Sequence, residues 1–182
     1  MPGSHIHSTL RVSGDRVPRS EMEDNSPTKA QLQGGVYALP ISKLRGVPFQ
    51  TRVALKVRRI TTCNQLLAAA ARHEGREALA QATRLPPETL TLLVQRADMA
   101  RVNGVGTVFG LMLEELGIGD VGVLATQDPV QLHERLRRYN QDERLARRSP
   151  TPEEVADWVA QARRLPRLVT YAPGEAELTA AE

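Results

Sequence analysis

Val102-Asn103-Gly104-Val105-Gly106-Thr107, closed ten residues later by Leu116-Gly117-Ile118, decides how this chain is read. Two glycines flanking a single valine permit a tight turn and a close approach of backbones, ahead of apolar residues at helical spacing. A helix starting just after the second glycine aims unpaired N–H groups, and the positive end of its dipole, at whatever lies before it.

Moving outward, the same order of signals occurs earlier in the chain. A shift of 58 residues lays Leu44 on Val102, Gly46 on Gly104 and Val47 on Val105. The register continues through Val53 on Leu111, Ala54 on Met112, Leu55 on Leu113, Ile60 on Ile118, Thr62 on Asp120 and Leu66 on Leu124. With seven more residues inserted, Pro87-Glu88 meets Pro152-Glu153, and Leu93, Val94 and Ala97 meet Trp158, Val159 and Ala162. Apolar positions and a helix cap recurring together imply an internal repeat. Two such units are expected to pack about a pseudo-twofold axis around one core, with Leu93 and Trp158 as equivalent large side chains near its centre.

Local signals between these landmarks are helical throughout. The spacing predicts a helix over 46–59, with Val47, Val53, Ala54 and Val57 toward the core and Arg52, Lys56 and Arg59 on an opposite, cationic face. Thr62-Cys63-Asn64-Gln65 has the form of a capping box and predicts a helix over 65–72 that turns Leu66, Leu67 and Ala70 inward. Gly75 is expected to break or bend it, with a short helix following through Ala78, Leu79 and Ala82. Pro86-Pro87-Glu88 opens another, with Leu90, Leu93, Val94 and Ala97 on one face. In the second half the hairpin and its helix fill 102–116, and Asp120 and Asp128-Pro129 read as N-caps. A helix over 130–139 turns Leu132 and Leu136 inward, and Thr151-Pro152-Glu153-Glu154 starts a last helix ending near Leu165-Pro166. No segment keeps a period-two alternation, so the fold class is all-α.

The flanks read differently. Residues 1–36 mix Ser, Gly, Pro and charges without periodicity and are expected to form a disordered arm, with 171–182 a shorter acidic tail. That leaves one domain over 37–170, with unit one at about 41–98 and unit two at about 99–166. The start of the chain has neither the cationic beginning nor the apolar stretch of a secretory signal, and no run approaches a membrane span, so a cytoplasmic protein is expected. A single cysteine, Cys63, excludes an intramolecular disulfide, and no Cys/His spacing suits zinc; neither a metal nor a cofactor is expected.

Net charge is only +3, yet it is unevenly placed: between positions 25 and 73 there are eight Lys and Arg and no Asp or Glu. Such a stretch suits a polyanionic partner.

Val102-Asn103-Gly104-Val105-Gly106, followed by a helix and Leu116-Gly117-Ile118, resembles the helix-hairpin-helix motif. The resemblance implies a DNA phosphate held by the N–H groups of Gly104, Val105, Gly106 and Thr107. In the first copy, Leu44-Arg45-Gly46-Val47-Pro48, proline replaces the second glycine and has no N–H to donate, whereas Arg45, Arg52, Lys56 and Arg59 lie close in sequence. The second copy has the glycines but leads into Glu114 and Glu115, which repel phosphate if they face it. A wider likeness covers 41–166. Gly75-Arg76 with Leu79-Ala80, Arg96-Ala97-Asp98, Leu132-His133, Arg147-Arg148 and the segment 155–165 ending at Pro166 are similar to an uncharacterised bacterial family, a domain of unknown function built of tandem helix-hairpin-helix units.

The expected function is therefore a non-enzymatic, sequence-independent nucleic-acid (DNA) binding module using hairpin amides, Gly46, Arg45 and a basic face of Arg52, Lys56 and Arg59. The alternative is a protein-interaction or scaffold subunit, engaged through the N-terminal arm or an exposed helix, in which the glycine turns only let helices meet. No nucleophile elbow, phosphate loop, His-Glu-x-x-His or carboxylate cluster points to catalysis.

Overall fold

The computed structural model describes residues 39–173; the arm expected over 1–36 and the tail beyond 173 lie outside the described residues. A short 3-10 turn at Ile41–Lys43 precedes eight helices: α1 (Phe49–Val57), α2 (Cys63–Ala70), α3 (His73–Thr83), α4 (Pro87–Met99), α5 (Thr107–Glu115), α6 (Val121–Ala125), α7 (Pro129–Glu143) and α8 (Pro152–Arg164). The described residues contain no strand, only an isolated bridge between Pro40 and Thr62. The chain is all-α, and no helix among these residues is long and apolar enough to cross a membrane.

Helix starts follow local chemistry. Thr62 and Gln65 form the capping box of α2, and Thr151 and Glu154 that of α8. Asp120 and Asp128 accept from the N–H groups of Val123 and Gln131. Each bond satisfies a donor that the first turn of a helix leaves open.

The 58-residue register extends to backbone angles. It carries α1 onto α5, end to end, and the start of α2 onto the start of α6; a shift of 65 carries α4 onto α8. Gly46 and Gly104 both have positive φ, +64° and +89°. Arg58 and Leu116, the C-caps of α1 and α5, share φ/ψ of −90°/12° and −88°/11°. The next residues, Arg59 and Gly117, are both left-handed. Ile60 N–H then reaches back to Leu55 O and Ile118 N–H to Leu113 O, the Schellman closure of a helix end.

Three expectations need correction. First, the buried side chains fall into two clusters instead of one core. Leu55, Leu66, Leu67, Leu90, Leu93 and Val94 centre the first, where α2 packs on α3 and α4. Met112, Leu113, Leu124, Leu132, Leu136 and Trp158 centre the second, where α8 packs on α6 and α7. Leu93 and Trp158 are both buried, one in each cluster. Second, α1 is rolled about its axis relative to its expected orientation. It buries Thr51 and Leu55, while Val53 and Val57 stand outside with Arg52 and Lys56. Val47 is half-buried beside the core. The helix begins only after Pro48, whose extended ψ of 150° rejects a start at position 46. Third, Gly75 does not break a helix; it lies in the first turn of α3. A Cβ there would come within 2.4 Å of Ala69 O, so glycine lets α3 start hard against the end of α2.

The segment after α8 returns to the first half. Leu168 enters its cluster, and Thr170 N–H donates to Ala71 O. Tyr171, expected to open the tail, is instead half-buried, with its hydroxyl between Gln95 and Asp120.

Candidate nucleic-acid interface

The two halves meet along a polar seam. Glu114 on α5 accepts from Arg96 on α4, Nε to Oε2 at 2.9 Å and Nη2 to Oε1 at 2.7 Å, and from Arg45 Nη2 at 2.9 Å. Arg96 also donates to Arg45 O at 2.8 Å, just before Gly46. Burial would raise the Glu114 carboxyl, but the Arg96 and Arg45 guanidiniums outweigh it and hold it below the usual carboxylate range. The feared repulsion of phosphate by Glu114 is thus neutralised, and Arg45 supplies part of that neutralisation. Glu115 remains exposed.

Deeper in the seam, Asp98 pairs with Arg101, both buried, and its second oxygen accepts from Val121 N–H at the start of α6 at 3.0 Å. Burial pushes the Asp98 carboxyl up, with Arg101 opposing. Arg101 also donates to Pro166 O at 3.0 Å.

Both hairpins border one cleft of about 550 Å³ at this seam. Leu44 and Arg45 come from the first, Val105, Gly106 and Thr107 from the second, with Met99 among the apolar lining. At the second hairpin, Gly104 lies over Trp158: a Cβ would sit 2.9 Å from the indole Nε1. The buried tryptophan, packed on Phe109 with ring centroids 5.4 Å apart, supports the turn from beneath. Gly106 is the N-cap of α5, extended at φ −76° and ψ 179°, and offers no side chain to cap it. Its own N–H, expected to help hold a phosphate, donates instead to Gly104 O at 3.0 Å. The first intrahelical bond of α5 is Gly110 N–H to Gly106 O at 2.8 Å, which leaves the N–H groups of Val105, Thr107, Val108 and Phe109 without an acceptor among the described residues. In the first hairpin, Gly46 adopts the same left-handed turn, and a Cβ would meet Arg96 Nη1 at 3.1 Å. Pro48 heads α1 without a cap bond.

The remaining expected residues lie on α1 and its end, away from that cleft. Arg52 and Lys56 line a second hollow of about 480 Å³, together with Ile41, Phe49, Val53 and Thr61. Arg59 follows the helix with φ +60°. All three are exposed and have no carboxylate partner among the described residues, unlike Arg45, Arg96, Arg101, Arg137, Arg138 and Arg148. The expected set therefore divides in two: Arg45 and Gly46 beside Gly104, Val105, Gly106 and Thr107 at the seam, and Arg52, Lys56 and Arg59 on the outer face.

Phe49 was missed by sequence reasoning. It is 71% exposed, with the Arg52 guanidinium carbon 5.6 Å from its ring centroid. The available signal was Pro48: a helix starting just after it puts Phe49, Val53 and Val57 on one stripe, at i, i+4 and i+8. Among the described residues no group of His, Cys, Asp and Glu could hold a metal ion. Cys63 is buried at the start of α2, where burial pushes its thiol up to about 11.

No curated protein and no solved structure matches this chain. Residues 46–165 match the model of the family described as Domain of unknown function (DUF4332), and the chain belongs to that family.

Proposed function

We infer that the chain is a non-enzymatic, sequence-independent nucleic-acid binding module, built of two tandem helix-hairpin-helix units related by a pseudo-twofold axis. The observation that carries this reading is the exposed charge of Arg52, Lys56 and Arg59 on the outer face, without a carboxylate partner among the described residues, whereas Arg45, Arg96 and Arg101 at the seam are paired. Three exposed cations without carboxylate neighbours raise the local potential and attract a polyanion. Two further features support it. The left-handed glycines Gly46 and Gly104 recur at the turns, as the repeat requires. The N–H groups of Thr107, Val108 and Phe109 at the start of α5 have no acceptor among the described residues, so the second hairpin supplies backbone donors where the first supplies side-chain charge.

The test is a gel shift with the full chain and labelled DNA and RNA at low salt. Binding is expected, and reversing Arg52, Lys56 and Arg59 to Glu together should abolish it with the circular dichroism spectrum unchanged, since all three side chains lie off the packed face. Absence of any shift by the unaltered chain, or an undiminished shift by the triple variant, contradicts the reading.

A further inference from the structure

We propose that the outer face of α1 is a binding surface for single-stranded nucleic acid, with Phe49 as the platform on which a base stacks. This rests on the nucleic-acid reading above and sharpens it to one class of ligand.

The argument starts from what α1 leaves outside. Phe49, Val53 and Val57 are 71%, 44% and 76% exposed, and they share the solvent side of a nine-residue helix with Arg52 and Lys56. Burying apolar surface is favourable, so an apolar stripe left in water is matched to a ligand that has apolar surface of its own. A duplex is a poor match. Its exterior is phosphate and sugar, and docking it here would press Phe49, Val53 and Val57 against charged oxygens. A single strand presents both surfaces at once: phosphates along one side and flat, apolar base faces along the other.

The arrangement of charge fits the same ligand. Arg52 and Lys56 lie four residues apart on the helix, about 6 Å along its axis at 1.5 Å per residue, comparable to one nucleotide step of an extended strand. The Arg52 guanidinium carbon lies over the Phe49 ring, 5.6 Å from its centroid, so it backs the platform on one side and places positive charge beside it. The hollow beside the ring, lined also by Ile41, Ile60 and Thr61, offers room next to the platform for a base. Among the described aromatic side chains Phe49 alone is exposed: Phe109 packs on Trp158, Tyr139 lies against the second cluster, and Tyr171 is tied to Gln95 and Asp120. An acidic protein segment would satisfy the cations and the apolar stripe but gains nothing from a flat ring backed by an arginine. The geometry therefore favours nucleic acid.

The experiment uses the full chain and fluorescence anisotropy with three probes: a mixed-sequence single strand, the duplex of the same sequence, and heparin, a polyanion without bases. The single strand should bind at least about tenfold more tightly than the duplex. Phe49→Ala should weaken single-strand binding by between about fivefold and about a hundredfold, the range of one base stacked on one aromatic ring, and leave heparin binding unchanged. Phe49→Trp should retain the affinity, and Phe49→Leu, which keeps apolar area but no ring, should not. Because Phe49 is exposed, unchanged circular dichroism is expected for all three variants. Equal binding of duplex and single strand with no effect of Phe49→Ala overturns the inference and leaves the nucleic-acid reading standing. Heparin bound as tightly as the single strand, with the Ala variant unaffected on both, also overturns it. If no nucleic acid binds, both fall, and capture of an acidic amphipathic peptide would reassign the face to a protein partner.

Discussion

Among the described residues three other than glycine have left-handed backbone, and all are arginine: Arg59, Arg84 and Arg144. An L side chain there costs about 1–2 kcal/mol, and at the position equivalent to Arg59 the second half uses Gly117. Arg59→Gly should therefore raise stability by about 1 kcal/mol in urea unfolding, and it should weaken nucleic-acid binding by removing one of the three exposed cations Arg52, Lys56 and Arg59. The two hairpin glycines of the second half should behave oppositely. Gly104→Ala meets both a φ of +89° and the Trp158 indole, and should cost about 1–3 kcal/mol. Gly106→Ala enters open space at an ordinary φ and should change stability by less than about 0.5 kcal/mol. Equal losses at the two positions would contradict the geometry. At Glu114 the sign with pH is fixed by its lowered folded-state pKa: its contribution is present above the 4.5 of a free glutamate and is lost as pH falls through the lowered value. The stability gap between the unaltered chain and Glu114→Gln should therefore shrink between about pH 7 and about pH 3 in parallel urea titrations.

At the scale of the helix, α1 separates what was legible in the sequence from what was not. Caps were legible because they depend on residues three apart: Thr62 with Gln65, Thr151 with Glu154, Asp120 and Asp128 with the donors beyond them. The roll of α1 was not, because Val53, Leu55 and Val57 are all apolar and periodicity alone admits more than one inward face. Thr51, a polar residue, is buried, while Val57 is 76% exposed, the reverse of a hydropathy ranking. Leu55→Ala should cost about 2–5 kcal/mol, and Val57→Ser less than about 0.5 kcal/mol, in the same unfolding assay. The same ambiguity hid Phe49 from the candidate site. Likewise Arg45 read as a phosphate contact because its partner Glu114 lies 69 positions away, a pairing that tertiary structure alone creates.

At the scale of the molecule, the halves that the 58-residue register outlined each keep their own apolar cluster, and charged and polar groups join them. Asp98 is the central joint, bonded to buried Arg101 beside it and to the start of α6 in the second half. Removing one partner of a buried pair strands the other, so Asp98→Ala should cost about 3–5 kcal/mol. It should also separate the unfolding of Trp158, seen by its fluorescence, from loss of helix seen by circular dichroism. A seam of this kind holds the two hairpins on one cleft, with Phe49, Val53 and Val57 of α1 exposed away from it. The measurement that tests the binding account most directly is the salt dependence of affinity of the full chain for a labelled single strand. If Arg52, Lys56 and Arg59 each neutralise a phosphate, log affinity falls linearly with log salt with a slope of about −2, roughly a twentyfold loss between about 50 and about 200 mM. The slope should approach zero when the three are changed together to Gln. A flat response in the unaltered chain, or a slope that survives loss of all three cations, would contradict it.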